Sequence, residues 1–152
     1  MPNGRLLSRQ ILEHPGAVVV IPKTKEGQFI LVRQFRFAAG NWLWEFPAGG
    51  IEKGESIRRA AARELSEEIC LAPRRLKELL RFYPTPRISG EIMYLYLAEG
   101  LYVKQGKCDE DEEFTVKAFS LSEIGRMIRR GRIVDGKTML GYACLKYGLK
   151  RA

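Results

Sequence analysis

The order of the predicted elements indicates an α/β fold in which a mixed sheet is sandwiched between helices. Two observations support this prediction: several short segments have strand character, and three segments have helix caps or helical periodicity. The chain has 152 residues and 45% of them are hydrophobic, so it is long enough for one domain with a sizeable core. We therefore expect a single domain over residues 1–152.

Six segments are predicted to form strands. Residues 16–21 are an uninterrupted apolar, β-branched run, which is typical of a buried strand, and residues 28–35 alternate well enough to be its hairpin partner. The glycines at 49 and 50 are expected to lie in a loop. The other predicted strands cover residues 42–46, 76–82, 91–101 and 114–119.

Three segments are predicted to be helices: residues 56–70, 120–130 and 137–149. Ser56 can cap the first helix, and Pro73 is expected to break it. An apolar residue recurs every four positions along this helix and forms a stripe that anchors one of its faces. The stripe consists of Ile57, Ala61, Leu65 and Ile69.

The same helix carries a group of acidic residues on its other face. Glu67 and Glu68 follow Glu64 by three and four residues, which is about one helical turn. The three side chains are therefore expected to project toward a common point. Like charges this close repel, and either water or a hard divalent cation such as Mg²⁺ or Mn²⁺ compensates them. Arg63 can reach Glu67 one turn away and fix its rotamer. Taken alone, the three glutamates also fit a solvated helix surface.

A longer pattern favours the metal site. Gly49, Glu55 after five intervening residues, and after seven further residues the run R-E-L-S-E-E-I-C-L at 63–71 resemble the Nudix box, G-x5-E-x7-R-E-U-x-E-E-x-G-U, in which U is aliphatic. Every position matches except Cys70, where the family has a glycine that ends the helix in a left-handed conformation. A residue with a Cβ costs about 1 kcal/mol or more there, so we expect a slightly altered helix end and an intact site.

The resemblance extends beyond the box over nearly the whole chain. Residues 14–18, 32–36 and 45–49 are similar to the ADP-ribose pyrophosphatase branch of the Nudix hydrolases, which acts on ADP-ribose and nucleotide sugars. In that branch a proline lies about fifteen residues past the box and a glutamate follows five residues later. Pro86 and Glu91 occupy these positions, and both are expected on the substrate side of the site. Arg87 stands where the branch usually has glycine and adds a cation there, so the preferred sugar stays open.

The resemblance implies the metal ligands. Glu64 and Glu68 are the expected ligands, with Glu67 close by as a further metal-site residue, and the backbone carbonyl of Ala48 completes one coordination sphere. Glu67 and Arg63 are also expected to serve the catalytic machinery. The fold implied by the resemblance is the Nudix α/β/α sandwich, and the implied cofactor is Mg²⁺, with Mn²⁺ as a substitute.

A second acidic group follows at residues 109–113. By itself it reads as a solvated charge run. Related enzymes carry an acidic loop at this position, which supplies the catalytic base and a further metal ligand. The resemblance assigns the base to Glu110 and the ligand to Glu112, although five consecutive acids leave the register of the base open.

Cations must hold the other side of the substrate. Arg36 matches the arginine that follows the hairpin strand in the family, and its planar guanidinium suits phosphate oxygens. Arg33 is a second candidate, for which a surface arginine is an equally good interpretation. Glu45 is expected to orient either the substrate or Arg36. Trp44 is interpreted as a core residue in preference to a base-stacking one.

The net charge is +8. It fits either a basic surface that binds nucleic acid or a solvated basic surface that keeps the protein soluble around a small acidic site. The cations are scattered or lie near the end of the chain, without a nucleic-acid-binding motif, so the second interpretation is preferred. The three cysteines are odd in number and widely spaced, and the chain has a single histidine, His14. This pattern argues against a disulfide framework and against a zinc site.

No apolar run approaches the ~20 residues that cross a bilayer, and the first residues lack the apolar centre of a signal peptide. A cytoplasmic location without membrane contact is therefore expected. The leading functional hypothesis is an Mg²⁺-dependent pyrophosphohydrolase of a nucleoside diphosphate sugar that forms a homodimer, as the resemblance implies. The alternatives are a Nudix hydrolase of nucleoside triphosphates or RNA 5′ ends, and a non-catalytic nucleotide-sensing domain.

Overall fold

The computed structural model describes Leu6, residues 8–104 and residues 115–149. In this part of the chain, runs of strands are followed by helices, as the sequence predicts for a mixed sheet packed between helices. The elements are β1 (Ala17–Pro22), β2 (Phe29–Arg36), a 3-10 turn (Phe37–Ala39), β3 (Asn41–Glu45), β4 (Ala48–Gly50), α1 (Ile57–Ile69), β5 (Leu71–Phe82), β6 (Met93–Val103), β7 (Thr115–Phe119), α2 (Leu121–Arg129) and α3 (Gly136–Tyr147).

The strands form two sheets. One has the order β4-β1-β6-β5 and the other the order β3-β2-β7. β1 and β6 run parallel, while β1 with β4, β5 with β6, and both partners of β2 run antiparallel. The first sheet is therefore mixed, as the sequence predicts.

Helices cover both faces of β1, because successive side chains of a strand point to opposite sides. Val18 and Val20 pack in a core cluster with Leu65 of α1. Val19 and Ile21 pack in a second cluster that contains Ile124 of α2 and Cys144 of α3. The predicted α/β/α sandwich is confirmed.

Helix α1 begins and ends as its sequence indicates. The Ser56 side chain accepts a hydrogen bond from the N–H of Arg59 at 3.3 Å, and most of the predicted apolar stripe is buried. At the other end, Cys70 adopts φ 57°, the only positive φ of a non-glycine residue among those described. Its N–H donates to the Ser66 carbonyl at 3.1 Å. The helix therefore keeps the left-handed end that the family builds with glycine, and Cys70 bears the strain.

The structure corrects one strand pairing and two boundaries. β1 and β2 lie in different sheets, so residues 28–35 are not the hairpin partner of the first strand. Gly49 and Gly50 belong to strand β4, where a loop was expected, because β4 pairs with β1 through Val18 opposite Gly49. β5 starts at Leu71, directly after the helix, and includes Pro73. An edge strand tolerates a proline, since one side of its backbone needs no ladder hydrogen bonds, and β5 is at the edge of its sheet. The helix thus ends at Cys70 and not at Pro73.

The cysteine expectation also needs correction. Cys70 is disulfide-bonded, whereas Cys144 is free and buried. The number and spacing of cysteines do not reveal which of them the fold brings together. Among the described residues, no helix combines the length and the apolar character required to cross a membrane.

Candidate active site

Arg63 organises the acidic residues of α1. Its Nη1 donates to Glu64 Oε1 and to Glu67 Oε2, each at 2.7 Å, and its Nε donates to Glu55 Oε1 at 3.2 Å. Its Nη2 donates to the carbonyl of Gly50 at 2.8 Å. The hydrogen bond with Glu55 is the largest of the effects that raise the pKa of Arg63. One guanidinium therefore joins three carboxylates and fastens α1 to the end of β4.

Glu64 is a half-buried carboxylate in a crowded acidic environment. Burial raises its pKa, the nearby charges of Glu67 and Glu55 act in the same direction, and Arg63 offsets only part of this effect. The carboxylate also lies against the bare backbone of Gly49: a Cβ on that glycine would stand 2.2 Å from the carboxyl carbon of Glu64. Gly49 is therefore needed to make room for Glu64.

Glu68 faces the start of β4. Its Oε1 accepts a hydrogen bond of 3.4 Å from the N–H of Ala48. Glu64 and Glu68 thus lie beside two consecutive residues of one strand, Gly49 and Ala48, while Glu67 is held by Arg63. Glu64 and Glu67 meet at the same nitrogen of Arg63, while Glu64 and Glu68 both lie against β4, so Glu64 connects the other two glutamates.

The donor chemistry of this region suits a hard divalent cation, because Glu64, Glu68 and the Ala48 carbonyl all offer oxygen atoms. The close fit of the Glu64 carboxylate against Gly49 fixes one of these donors in place. Within the described ranges, however, no three or more His, Cys, Asp or Glu side chains form a group that could hold a metal ion. The predicted base Glu110 and the predicted ligand Glu112 lie outside the described residues.

A second ionic network lies around Glu45, at the end of β3. Glu45 is 1% exposed and receives two hydrogen bonds from Arg36: Nε to Oε1 at 2.9 Å and Nη2 to Oε2 at 2.7 Å. Lys137, the second residue of α3, also donates to Oε2 and binds Asp135 Oδ1 at 2.9 Å. Burial alone raises the pKa of Glu45, but the bonds from Arg36 and Lys137 outweigh it and hold this pKa below its ordinary value.

Helix α3 is positioned for this network by its own cap. Asp135 Oδ2 accepts from the N–H of Thr138 at 2.9 Å, and Thr138 Oγ1 accepts from the N–H of Phe46 at 3.0 Å. Thr138 is fully buried, so α3 is fastened to the residue that follows Glu45. Sequence reasoning missed Lys137 because no motif links it to Glu45, 92 residues earlier.

Arg36 connects the two networks electrostatically. Its hydrogen bonds with Glu45 raise its pKa most, and the charges of Glu68 and Asp135 act in the same direction. The side chain of Arg36 remains 40% exposed. A partly solvated cation is thereby held near the acidic residues of α1.

Arg33 lies on the other face of β2 from Arg36, because the two residues are an odd number apart in the strand. Its guanidinium carbon lies 5.7 Å from the ring centroid of Trp42. Trp44 packs edge-on against Phe119, with ring centroids 5.1 Å apart, and borders the core as predicted.

Pro86 and Arg87 lie in an exposed turn between β5 and β6. Glu91 is less exposed, with one carboxylate oxygen 3.7 Å from Nδ1 of His14. That nitrogen accepts a hydrogen bond from the N–H of Gly16 at 3.1 Å, so it does not donate to Glu91. In the described part of the chain, none of these three predicted substrate residues shares a hydrogen bond or ion pair with Arg63 or Arg36.

Comparison with known proteins agrees with this geometry. The sequence model of the NUDIX domain family matches residues 13–140 of this chain. An ADP-ribose pyrophosphatase of Bacillus subtilis is 38% identical over 100% of this chain and 82% of its own length. A methanol dehydrogenase activator of Bacillus methanolicus is also 38% identical, over 99% of this chain and 83% of its own length.

The fold is shared with a solved structure described as an ADP compounds hydrolase. The TM-score is 0.80, with 23% sequence identity over 88% of this chain and 72% of the other. The family match covers most of the chain and includes helix α1, strand β4 and the Glu45 network. This chain belongs to the Nudix family.

Proposed function

We propose that this protein is an Mg²⁺-dependent pyrophosphohydrolase that cleaves the diphosphate of ADP-ribose or of a related nucleoside diphosphate sugar. The products are a nucleoside monophosphate and a sugar phosphate. The observation that carries the proposal is the excess of carboxylates at the junction of α1 and β4, where one arginine serves three of them. The names of the Bacillus subtilis relative and of a Mycobacterium tuberculosis relative, 34% identical over 93% of this chain, support the same substrate class.

The metal would be held by Glu64, Glu68 and the carbonyl of Ala48, with Glu112 as a further ligand and Mn²⁺ as a possible substitute. Bound there, it would neutralise the diphosphate and make a bound water more acidic. Glu67 contributes by holding Arg63, which in turn fixes Glu64. Glu110 is proposed to take the proton of the attacking water.

Arg36 is proposed to bind a substrate phosphate. Its Nε and one N–H of Nη2 are bound by Glu45, so Nη1 and the second N–H of Nη2 are the donors proposed for a ligand. Glu45 is too buried to reach a ligand itself, and its role is to fix the plane of the Arg36 guanidinium. Lys137 is a positioning residue in the same sense, because it acts through Glu45. Contacts from Arg33, Pro86, Arg87 and Glu91 to the substrate stay predictions.

A homodimer is proposed to form through the β2–β3 hairpin. Three aromatic rings cluster there: Phe35 packs edge-on against Phe37 and against Trp42, with centroid distances of 5.3 Å and 5.8 Å. Phe37 is 90% exposed, which leaves an apolar surface suited to a second copy of the chain. Light scattering coupled to gel filtration would test this, and a monomer at micromolar concentration would contradict it. The single domain over residues 1–152 and the cytoplasmic location stay predictions.

Product identification tests the proposed reaction. The protein is incubated with Mg²⁺ and, separately, ADP-ribose, nucleotide sugars, dinucleoside polyphosphates, nucleoside triphosphates and triphosphorylated RNA. We expect AMP and ribose 5-phosphate from ADP-ribose, and a loss of at least about 100-fold in turnover for Glu68→Gln. Glu26→Gln is the matched control, because Glu26 lies in the exposed turn between β1 and β2.

Three outcomes would contradict the proposal. Turnover of triphosphates or RNA alone would assign the protein to another class of Nudix substrate. Nucleotide binding without any turnover would favour a sensing domain. Equal activities of Glu68→Gln and Glu26→Gln would remove Glu68 from the site.

A further inference from the structure

A cavity lies on the side of the molecule opposite α1, between β3, β7 and α2. Its volume is about 270 Å³. Trp44, Phe119 and Met127 supply its apolar wall and belong to the core cluster of α2 and α3, not to the cluster of α1. The remaining lining residues are Lys117, Glu123, Arg126, Arg130 and Arg132. The cavity therefore shares no residue with the Arg63 cluster, which consists of Arg63 and its partners Glu55, Glu64 and Glu67, or with the Glu45 network.

The charge of this cavity is strongly unbalanced. Four of its lining residues are cations and one is a carboxylate. None of the four cations forms an ion pair with an Asp or Glu among the described residues. The single carboxylate, Glu123, is hydrogen-bonded to the helix cap: its Oε2 accepts from the N–H of Ser120 at 2.8 Å and from its hydroxyl at 2.7 Å. Its charge acts on Arg126 and Lys117 and offsets part of theirs, so among the described residues the cavity keeps an excess of positive charge.

The dipole of α2 accounts for only part of this arrangement. The negative end of a helix favours cations in its last turn, and Arg126 and Arg129 lie there. Lys117 comes from strand β7 and Arg132 follows the turn after the helix, so neither position is explained by the dipole. Cations from three separate segments converge on one cavity, and the expected ligand is an anion that several guanidinium groups bind together.

The aromatic wall indicates what else the ligand contains. Trp44 and Phe119 meet at an interplanar angle of 85°, and Nζ of Lys117 lies 5.5 Å from the centroid of Phe119. Trp44 is only partly buried, so part of its ring surface remains open to a planar group. Phosphate alone would contact the cations and leave the open part of the Trp44 ring without a ligand contact.

We propose that this cavity is a second binding site, which takes a nucleoside monophosphate: the phosphate lies among Arg126, Arg130 and Arg132, and the base packs against Trp44. The site goes beyond the proposed reaction, because it is separated from the acidic helix by the sheet. A nucleotide bound here would not be the substrate of the proposed reaction.

The test is calorimetric titration of the full chain with AMP, in EDTA and in a Glu68→Gln background, so that neither metal nor turnover contributes. We expect one binding event that weakens at least about tenfold in the double variant Arg126→Ala/Arg130→Ala. Arg129→Ala is the matched control, since Arg129 is an exposed arginine of the same helix that does not line the cavity, and it should bind AMP like the parent protein. Thermal unfolding of each variant verifies that it is folded.

The double variant Arg126→Lys/Arg130→Lys keeps both charges but loses the paired N–H donors of the planar guanidinium groups. We expect its affinity for AMP to lie between those of the parent protein and the Ala double variant. Two results would overturn the proposal. Equal AMP affinity in the Ala double variant and in Arg129→Ala would place the nucleotide elsewhere, including at the catalytic site. Equal affinity for inorganic phosphate and AMP would remove the role of Trp44 and with it the assignment to a nucleotide. Either result leaves the proposed hydrolysis untouched, because that reaction is judged by its products.

Discussion

The Arg63 cluster and the Glu45 network are built from the same chemical groups with opposite charge balance. In the first, one guanidinium serves Glu55, Glu64 and Glu67. In the second, Arg36 and Lys137 both serve one buried carboxylate. As a result, the pKa of Glu64 is raised, whereas that of Glu45 is lowered. The first cluster retains a demand for further positive charge, and the second is already compensated.

This difference separates two kinds of function. An acid-rich group at the protein surface can recruit cations, because each carboxylate is stabilised further by an added positive charge. A compensated buried group gains nothing from another ion, and its value is geometric, since it holds Arg36 in one orientation. We therefore expect substitutions in the first cluster to change activity, and substitutions of Glu45 or Lys137 in the second to change chiefly stability.

The largest effect is expected from Gly49→Ala. The new Cβ would stand 2.2 Å from the Glu64 carboxyl carbon and displace that side chain. A shift of about 1 Å at a catalytic centre can cost about 100-fold, which is the loss of kcat/KM that we expect. Gly50→Ala is the matched control, because it adds the same methyl group to the same strand with no atom within 4 Å. Similar activity of the two variants would contradict the role given to Glu64.

Lys137→Met should chiefly reduce stability. Breaking a buried ion pair costs roughly 3–5 kcal/mol when the charge is left alone, and since Arg36 still binds Glu45 we expect about 2 kcal/mol. Urea denaturation measures the change, with the exposed Lys146→Met of the same helix as the control. In a double-mutant cycle with Glu45→Gln, the loss should shrink to less than half. An unchanged loss would show that Lys137 does not act through Glu45.

Glu45 also predicts a pH dependence of stability. Its folded-state pKa lies below the ordinary value of about 4.3, so its contribution is complete above the unfolded-state pKa and is lost as pH falls through the folded-state value. The difference in unfolding free energy between the parent protein and Glu45→Gln should be constant above about pH 5.5 and decrease below roughly pH 4. A difference that increases toward acid pH would reverse the sign assigned to this group.

The smallest effect concerns the end of α1, which carries both Arg63 and its acidic partners. Cys70→Gly and Cys70→Ala both remove the disulfide, so their difference isolates the backbone strain of a Cβ at φ 57°. This strain costs about 1–2 kcal/mol, and the greater freedom of glycine in the unfolded chain offsets part of it. Cys70→Gly should therefore be more stable than Cys70→Ala by about 0.5–1 kcal/mol in chemical denaturation. Equal stabilities would mean that Cys70 is not strained.

The acidic cluster was predictable because its parts are close in the chain. Glu64, Glu67 and Arg63 lie on one helix, and helical spacing alone brings Arg63 to Glu67. The order of strands and helices followed from periodicity in the same way. The strand at Gly49 was missed, since three residues with two glycines have no strand periodicity and become a strand only by pairing with β1.

By itself, the sequence determined the α/β class, the acidic helix with its caps, and the residues that resemble the Nudix box, because these depend on local spacing and on residue type. Only the tertiary structure decided the close fit of Gly49 against Glu64, the pairing of Lys137 with Glu45, and the cationic cavity beside Trp44. Each joins segments far apart in the chain. Such contacts depend on how strands and helices pack, and spacing along a single element carries no information about that packing.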